Sequence, residues 1–329
     1  MANGQHVWGL VLAGGDGSRL RALTTSPCGA VAPKQFCSLC GGQSLLEDAV
    51  DRAEQFTDQQ RICTIVAQQH RQWWTGIERL NQLPAGNVIV QPRNRGTAIG
   101  VLYSLLHIVA KDSNARIVLL PADHYVRDEG ALRESLHTAL AHVEWDAERP
   151  VLLGLEPDET DLELGYILPG PPDPLEARSV SRFIEKPGLA DALDIIDAGG
   201  LWNTFIVAAS AQSLINLFLP RYAPLVMEMQ VILSRGFAAG SPTAAWPAIN
   251  DLYERLPYLD FSRDLLQGRE SKLCVLPVPP CGWSDLGTPR RVGETLRRLR
   301  PREQAANRHW QADYVNLAAQ YARTEAVRG

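Results

Sequence analysis

The sequence, 329 residues long, is short of several things, and each shortage closes a class of function. No apolar run approaches the roughly 20 residues that cross a bilayer, so no membrane role is expected. Basic residues are not in excess. The chain has 32 Lys and Arg against 37 Asp and Glu, a net charge of -5, and nonspecific nucleic-acid binding calls for a basic surface. No nucleic-acid partner is expected. The N-terminus, "MANGQHVWGLVLAGG", has no basic n-region and no usable cleavage site, which argues for a cytoplasmic protein. Six cysteines (Cys28, Cys37, Cys40, Cys63, Cys274, Cys281) are scattered and expected to stay reduced. "CSLC" at 37–40 is formally C-x-x-C, but no second pair completes a zinc site. Internal repeats and a clear flexible linker are also missing.

The glycine-rich stretch "LAGGDGSRL", residues 12–20, lacks the endings of the familiar phosphate loops. Gly17 is followed by Ser18 and Arg19 rather than Lys and Ser or Thr. The third glycine of a dinucleotide fingerprint is replaced by Leu20. Neither a P-loop ATPase nor an NAD enzyme fits. What is present still suits phosphate. Val7–Leu12 reads as a buried strand, and the glycines after it permit close backbone approach. Successive N–H groups can cradle phosphate oxygens, and Arg19 adds a fork of donors. An ordinary β-to-α turn would look much the same on this stretch alone.

With 45% hydrophobic residues, a sizeable core is available. The first half alternates strands and helices. Strands are expected at Val7–Leu12, Ile62–Ala67, Val88–Val90, Arg116–Leu120 and Val151–Leu155. Helices are expected at Leu45–Glu54, Gly96–Lys111 and Ala131–Val143. Ile99, Leu102, Leu106 and Val109 recur at helical spacing, and Arg116–Leu120 ends as an apolar run suited to a central strand covered on both faces. The alternation predicts an α/β fold with a doubly wound sheet. After Gly165 the pattern is mixed. "GYIL" and "SVSRFIEKP" read as strands around a Pro-rich turn at 169–174, and "LWNTFIVAA" as another. Ser210–Leu219, Pro224–Ser234 and Ala248–Leu256 read as helices, and "KLCVLPVP" as a late strand. "GTPRRVGETLRRLR" reads as a basic helix with a solvated or subunit-facing surface. Residues 301–329 form a polar tail with room for one more helix.

Three further stretches complement the glycines. "LLPADHY" puts Asp123 past a central strand, "FIEKP" puts Glu185 and Lys186 at another strand end, and "GWSDLGT" puts Asp285 directly after the late strand. Each alone reads as a cap or a solvated charge. Together they supply a phosphate cradle, three cations (Arg19, Lys34, Lys186) and two carboxylates, which suits Mg²⁺-assisted nucleotidyl transfer.

The ordered set "LAGGDGSRL … PKQF", "QPRNRGTA", "LLPADHY", "LGYI", "FIEKP", "LWNTF" and "GWSDLGT" resembles the sugar-phosphate nucleotidyltransferases over roughly residues 7–290. "PKQF" with "RGTA" favours the guanylyl branch, the mannose-1-phosphate guanylyltransferases. The resemblance implies a mixed-sheet, Rossmann-like (GT-A-like) catalytic domain over 1–290 and an α-helical C-terminal extension over 291–329. It implies GTP and a sugar-1-phosphate as partners, Mg²⁺ as cofactor, and leaves a homodimer possible. Leu12, Ala13, Gly14, Gly15 and Gly17 would bind the nucleotide, with Gln91, Arg95 and Thr97 near base and ribose. Arg19 and Lys34 would hold the triphosphate. Asp123 and Asp285 would hold the metal. Gly165, Glu185 and Asn203 would grip sugar hydroxyls, and Lys186 the sugar phosphate.

Other roles remain open at this point. Gln91 is as well read as a strand-end polar residue, Tyr166 as packing, and His124 as a structural hydrogen-bonding group. Trp202 and Trp283 read as packing that shapes the sugar pocket, and Asp16 as an exposed loop residue without a role. Several positions depart from the family pattern. "TTSPCGAVA" is an insertion before Lys34. Gly96 stands where asparagine is usual, Glu163 where glycine is usual, Leu164 where an aromatic is usual, and Thr204-Phe205 where Ser-Gly is usual. These bear on the sugar more than on the chemistry. A heptose or glucose phosphate is an alternative substrate, and a non-catalytic GDP-sugar sensor an alternative class. The chain carries neither a hexapeptide β-helix nor a cupin-type isomerase domain, so no second activity is expected.

Overall fold

The computed structural model describes residues 6–24, 31–38, 42–238 and 242–299. Cys28, Cys40, most of the 24–32 insertion and the tail at 301–329 lie outside them.

The elements in chain order are β1 (Val7–Ala13), α1 (Leu45–Glu54), β2 (Ile62–Ala67), β3 (Val88–Gln91), α2 (Thr97–Val109), β4 (Arg116–Pro121), α3 (Glu129–Trp145), β5 (Val151–Leu155), β6 (Gly165–Pro172), β7 (Arg178–Glu185), α4 (Leu189–Asp197), β8 (Leu201–Ser210), α5 (Ala211–Ala238), α6 (Trp246–Arg255), β9 (Cys274–Val278) and α7 (Pro289–Arg298). Nine strands form one mixed sheet in the order β3-β2-β1-β4-β8-β5-β9-β7-β6, and the start of β8 also pairs with β6. β3, β2, β1 and β4 run parallel. β8 enters antiparallel to β4 and β5.

β1 shows why the sheet is covered on both faces. Its side chains alternate, as strand geometry requires. Trp8 and Leu10 join a core with α2, α5 and α6 on one face. Val7 and Val11 join a second core with α1 and α3 on the other. α1 starts with a capping box in which the Ser44 backbone N–H donates to Glu47 Oε2 at 2.8 Å. α5 is broken at Tyr222, whose backbone is non-helical (φ -127°, ψ 22°), between Pro220 and Pro224. The two helices expected there are both present, joined across this kink.

Two expectations shift. The Pro-rich segment 169–172 belongs to β6 rather than to a turn. It tolerates prolines because this part of the strand is irregular, with register shifts around Pro169, and lies at the sheet edge. The turn comes at 173–177, where the Asp173 N–H donates to the Ala177 carbonyl at 2.7 Å. The boundary at 290 falls inside α7, whose apolar residues Val292 and Leu296, with Leu299 just beyond, pack on Leu20, Leu23 and Leu286.

The carboxyl ends of β1 and β4, where strand order reverses, open on one side of the sheet. That is where doubly wound sheets bind ligands.

Candidate active site

A cleft of about 400 Å³ lies there. Leu12, Gly14, Gly15, Gly17, Arg19, Gln91, Thr97, Asp123, Gly165, Glu185, Lys186, Asn203 and Asp285 all line it.

The glycine loop leaves β1 and is fixed from two sides. Gln35, 2% exposed, donates to the carbonyls of Ala13 (3.0 Å) and Gly15 (2.8 Å). Asp16 is half-exposed but tied: Gln69 Nε2 donates to it at 2.8 Å and Asn94 Nδ2 at 3.0 Å. His70 also bonds to it, and these partners outweigh burial to lower the Asp16 carboxyl to about 2. The residue read as lacking a role pins the loop to the ends of β2 and β3. At Gly17 φ is +59°, and a Cβ would stand 2.8 Å from the Lys34 nitrogen. Only glycine fits this approach.

The two expected metal carboxylates come together through an unforeseen connection. Asp285 lies seven residues past β9, not directly after it. Its neighbour Ser284 forms a two-bond bridge with Tyr125, each backbone N–H donating to the other's carbonyl at 2.9 Å. That bridge holds the Asp285 loop against the Asp123 loop. Lys34, 7% exposed, spans both: its Nζ lies 2.9 Å from Asp123 Oδ2 and donates to the Asp285 carbonyl at 2.5 Å. Burial would raise the Asp123 carboxyl, but Lys34, His124 and Arg19 outweigh it and hold it below its ordinary value. Asp285 Oδ1 is buried with no hydrogen-bond partner. That oxygen faces the buried Arg291 at 3.7 Å; the two carboxylates, brought to one cleft from two loops, are the hard oxygen donors a divalent cation takes.

The sugar-side residues are assembled by register. Gly165 pairs with Glu185 across the β6–β7 hairpin. Asn203, on β8, places its Nδ2 3.4 Å from Ser262 Oγ. Burial, then the nearby Asp260, pushes the Glu185 carboxyl up to about 7, against Lys186 and Arg263. Lys186 (φ 51°), Phe205 (φ 62°) and Leu286 (φ 49°) are left-handed without being glycine. All three lie at or beside the cleft, where such strain tends to gather. The Phe205 ring packs edge-on against Phe261 at 5.7 Å.

A nucleotidyl transferase family model matches residues 8–299. The chain belongs to the nucleotidyl transferase family. It is 32% identical over 204 residues to the mannose-1-phosphate guanylyltransferase of Salmonella montevideo, covering 59% of this chain and 41% of that protein. It is 27% identical over 283 residues to the alginate biosynthesis protein AlgA of Pseudomonas aeruginosa, covering 85% and 56%. The chain thus spans about half the length of the curated relatives it matches. Among solved structures, it resembles a mannose-1-phosphate geranyltransferase from Thermus thermophilus with a TM-score of 0.71. Identity is 28%, and the match covers 90% of this chain and 81% of that one.

Three expected contacts of this nucleotidyl transferase are placed differently. Arg95 turns away from the cleft and donates to the carbonyls of Tyr253 (2.7 Å) and Glu254 (2.9 Å), because its fork also fits the end of α6. Ala13 is buried in β1 and serves the loop through its carbonyl. Lys34 is engaged with Asp123 and the Asp285 backbone and does not line the cleft. Gln91 sits under Gly14, with its Oε1 buried and unpartnered. His124 accepts from Trp283 Nε1 at 3.2 Å, and burial lowers its imidazole to about 4, so it is neutral near pH 7.

The basic helix is the main correction. Arg291 is 5% exposed, not solvated. Its Nε lies 2.6 Å from Asp161 and 3.7 Å from Asp285 Oδ1, and its guanidinium stacks 4.7 Å from the Trp202 ring. The stripe Val292, Leu296, Leu299 was the signal for this packing. Asp260 and Ser262, which face Glu185, sit in the irregular segment after α6 and carried no periodic signal. Half-buried Cys37 has its thiol raised to about 11 by burial, consistent with an unreactive cysteine. No helix among the described residues is long and apolar enough to cross a membrane.

Proposed function

We propose that this protein transfers GMP from GTP to mannose-1-phosphate, giving GDP-mannose and pyrophosphate. One observation carries the reading. Asp123 and Asp285, whose loops Lys34 joins through the Asp123 carboxylate and the Asp285 main-chain carbonyl, share a single cleft with the glycine loop on one side and the Gly165, Glu185, Lys186 and Asn203 group on the other. A nucleoside triphosphate and a sugar phosphate can therefore meet between them.

In this reaction a phosphate oxygen of the sugar attacks the α-phosphorus of GTP, the bond to the β-phosphate oxygen breaks, and pyrophosphate leaves. The nucleophile is already ionised near neutral pH, so no strong general base is needed. Mg²⁺, held by Asp123 and Asp285, would supply charge neutralisation at the phosphates. The chain supplies the positioning. Backbone N–H groups of the glycine loop and Arg19 hold the triphosphate and the departing pyrophosphate. Lys186 holds the sugar phosphate, and Glu185 and Asn203 its hydroxyls. Lys34, bonded to the Asp123 carboxylate and the Asp285 backbone, keeps the two loops in register. Rate then comes from alignment and electrostatics. Gln91, with its amide nitrogen under Gly14 and its Oε1 toward Gly100, would form part of the floor beneath the base.

Phe205 and Leu164 alter the sugar walls, so a heptose or glucose phosphate is the second reading. A cytoplasmic location, a catalytic unit running through α7 and a possible homodimer belong to the same proposal. A matrix of four nucleoside triphosphates against mannose-, glucose- and heptose-1-phosphates tests it. Turnover confined to GTP with mannose-1-phosphate supports the first reading. Turnover only with another sugar selects the second. GDP-mannose binding without turnover under any metal condition favours a sensor.

A further inference from the structure

Glu163 sets a carboxylate directly against two cations that face phosphate in the proposed reaction. Its Oε2 accepts from Arg19 Nη1 at 3.1 Å and lies 3.2 Å from Lys186 Nζ. These are the cations assigned to the pyrophosphate and to the sugar phosphate. One oxygen of one side chain thus spans the cleft between them. The three side chains are between 39% and 49% exposed, so the bridge is open to solvent and to exchange.

The backbone beneath it is held firmly. The Glu163 N–H donates to Asp161 Oδ1 at 2.8 Å. Asp161 Oδ2 takes the buried Arg291 Nε at 2.6 Å, and the Asp161 N–H donates to the hydroxyl of the fully buried Tyr166 at 3.0 Å. A fixed base and an exposed tip are what a displaceable group needs.

We propose that Glu163 is an internal competitor for substrate phosphate. Its carboxylate keeps Arg19 and Lys186 facing each other across the cleft, and an incoming phosphate must displace it. The inference rests on the proposed transfer reaction for its biological sense, but its physical content is anion binding alone. A carboxylate is an acceptor-only monoanion that makes two bonds here. A phosphate group offers more charge and more acceptor oxygens to the same two cations. It therefore wins, at reduced net affinity. Glu163 raises the substrate concentration needed, and does so for both anionic partners at once.

The test is Glu163→Gln, which keeps the volume and removes the charge. Calorimetry with inorganic pyrophosphate reads the latch without turnover. Binding should tighten by roughly three- to tenfold, as expected for losing exposed ion pairs of this kind. Steady-state kinetics with GTP and mannose-1-phosphate should show KM falling for both, with the change in KM exceeding that in kcat. Glu163→Asp, one methylene shorter, should bind pyrophosphate with intermediate affinity, because it cannot span both cations. Unchanged or weaker pyrophosphate binding in Glu163→Gln overturns the proposal. A raised KM with a collapsed kcat also overturns it, because Glu163 would then grip substrate. Absence of turnover in the wild-type protein contradicts the transfer reaction but leaves the pyrophosphate result to decide the latch.

Discussion

Arg291 offers the sharpest check on how the C-terminal helix is used. Both Arg291 and its partner Asp161 are nearly buried, at 5% and 7% exposure, and their ion pair measures 2.6 Å. Arg291→Met removes the cation and leaves the Asp161 carboxylate inside. Breaking a buried pair from one side costs about 3–5 kcal/mol. The lost stacking on Trp202 adds about 1 kcal/mol. The hydrogen bond Asp161 retains from the Glu163 N–H offsets part of this, so a net loss of about 3–4 kcal/mol is expected. In urea, for a chain of this size, that corresponds to a midpoint fall of roughly 1 M. Adding Asp161→Asn removes the stranded charge and should restore more than half of the loss, since the two residues form one interacting unit. A midpoint shift below roughly 0.2 M, or strictly additive losses, would refute the reasoning and return α7 to a solvated surface.

Three further outcomes are expected. Asp285→Asn should lower turnover by about two orders of magnitude or more, because a charged ligand is lost while the volume is kept, with the fold retained but melting somewhat lowered through the lost partner of buried Arg291; near-normal turnover would remove Asp285 from the reaction. Gly96→Ala would set a Cβ 2.1 Å from the Leu259 carbonyl oxygen at φ +87°. Left-handed strain and overpacking together cost about 2–5 kcal/mol, read as a fall of roughly 5–15 °C in Tm. Glu185, raised to about 7 in the fold, keeps a proton that the unfolded chain loses near its ordinary pKa of about 4.5. Stability should therefore decline as pH rises between those two values and stay low above them. Glu185→Gln should remove the decline, raising stability at pH 8 by about 1–2 kcal/mol and leaving it nearly unchanged at pH 4.5; equal effects at both would contradict the assignment.

The parallel half of the sheet was legible because its strands are short apolar runs between turn signals. The limits of β2 and β5 are those expected from the residues alone. The cleft residues on strand ends were legible for the same reason: once a strand is placed, its end is placed. Legibility failed where long side chains chose between partners. Arg95 is expected near base and ribose and Arg291 on a solvated or subunit-facing surface, and each instead satisfies groups brought close only by the tertiary fold, the carbonyls ending α6 and the buried Asp161. Asp260 and Ser262 sit in a segment whose place against Glu185 depends on the Leu259 backbone crossing Gly96. Nothing local encodes that crossing. Gly96 in place of asparagine was visible as an oddity, and its reason appears only when the approaching backbone is seen.

Pyrophosphate release tests the central claim most directly. Purified protein is given Mg²⁺ with GTP, with mannose-1-phosphate, and with both. The account predicts release only with both substrates, with GDP-mannose formed in equal amount and the reaction abolished by Asp285→Asn. Release from GTP alone, or none with any sugar-1-phosphate, would contradict it.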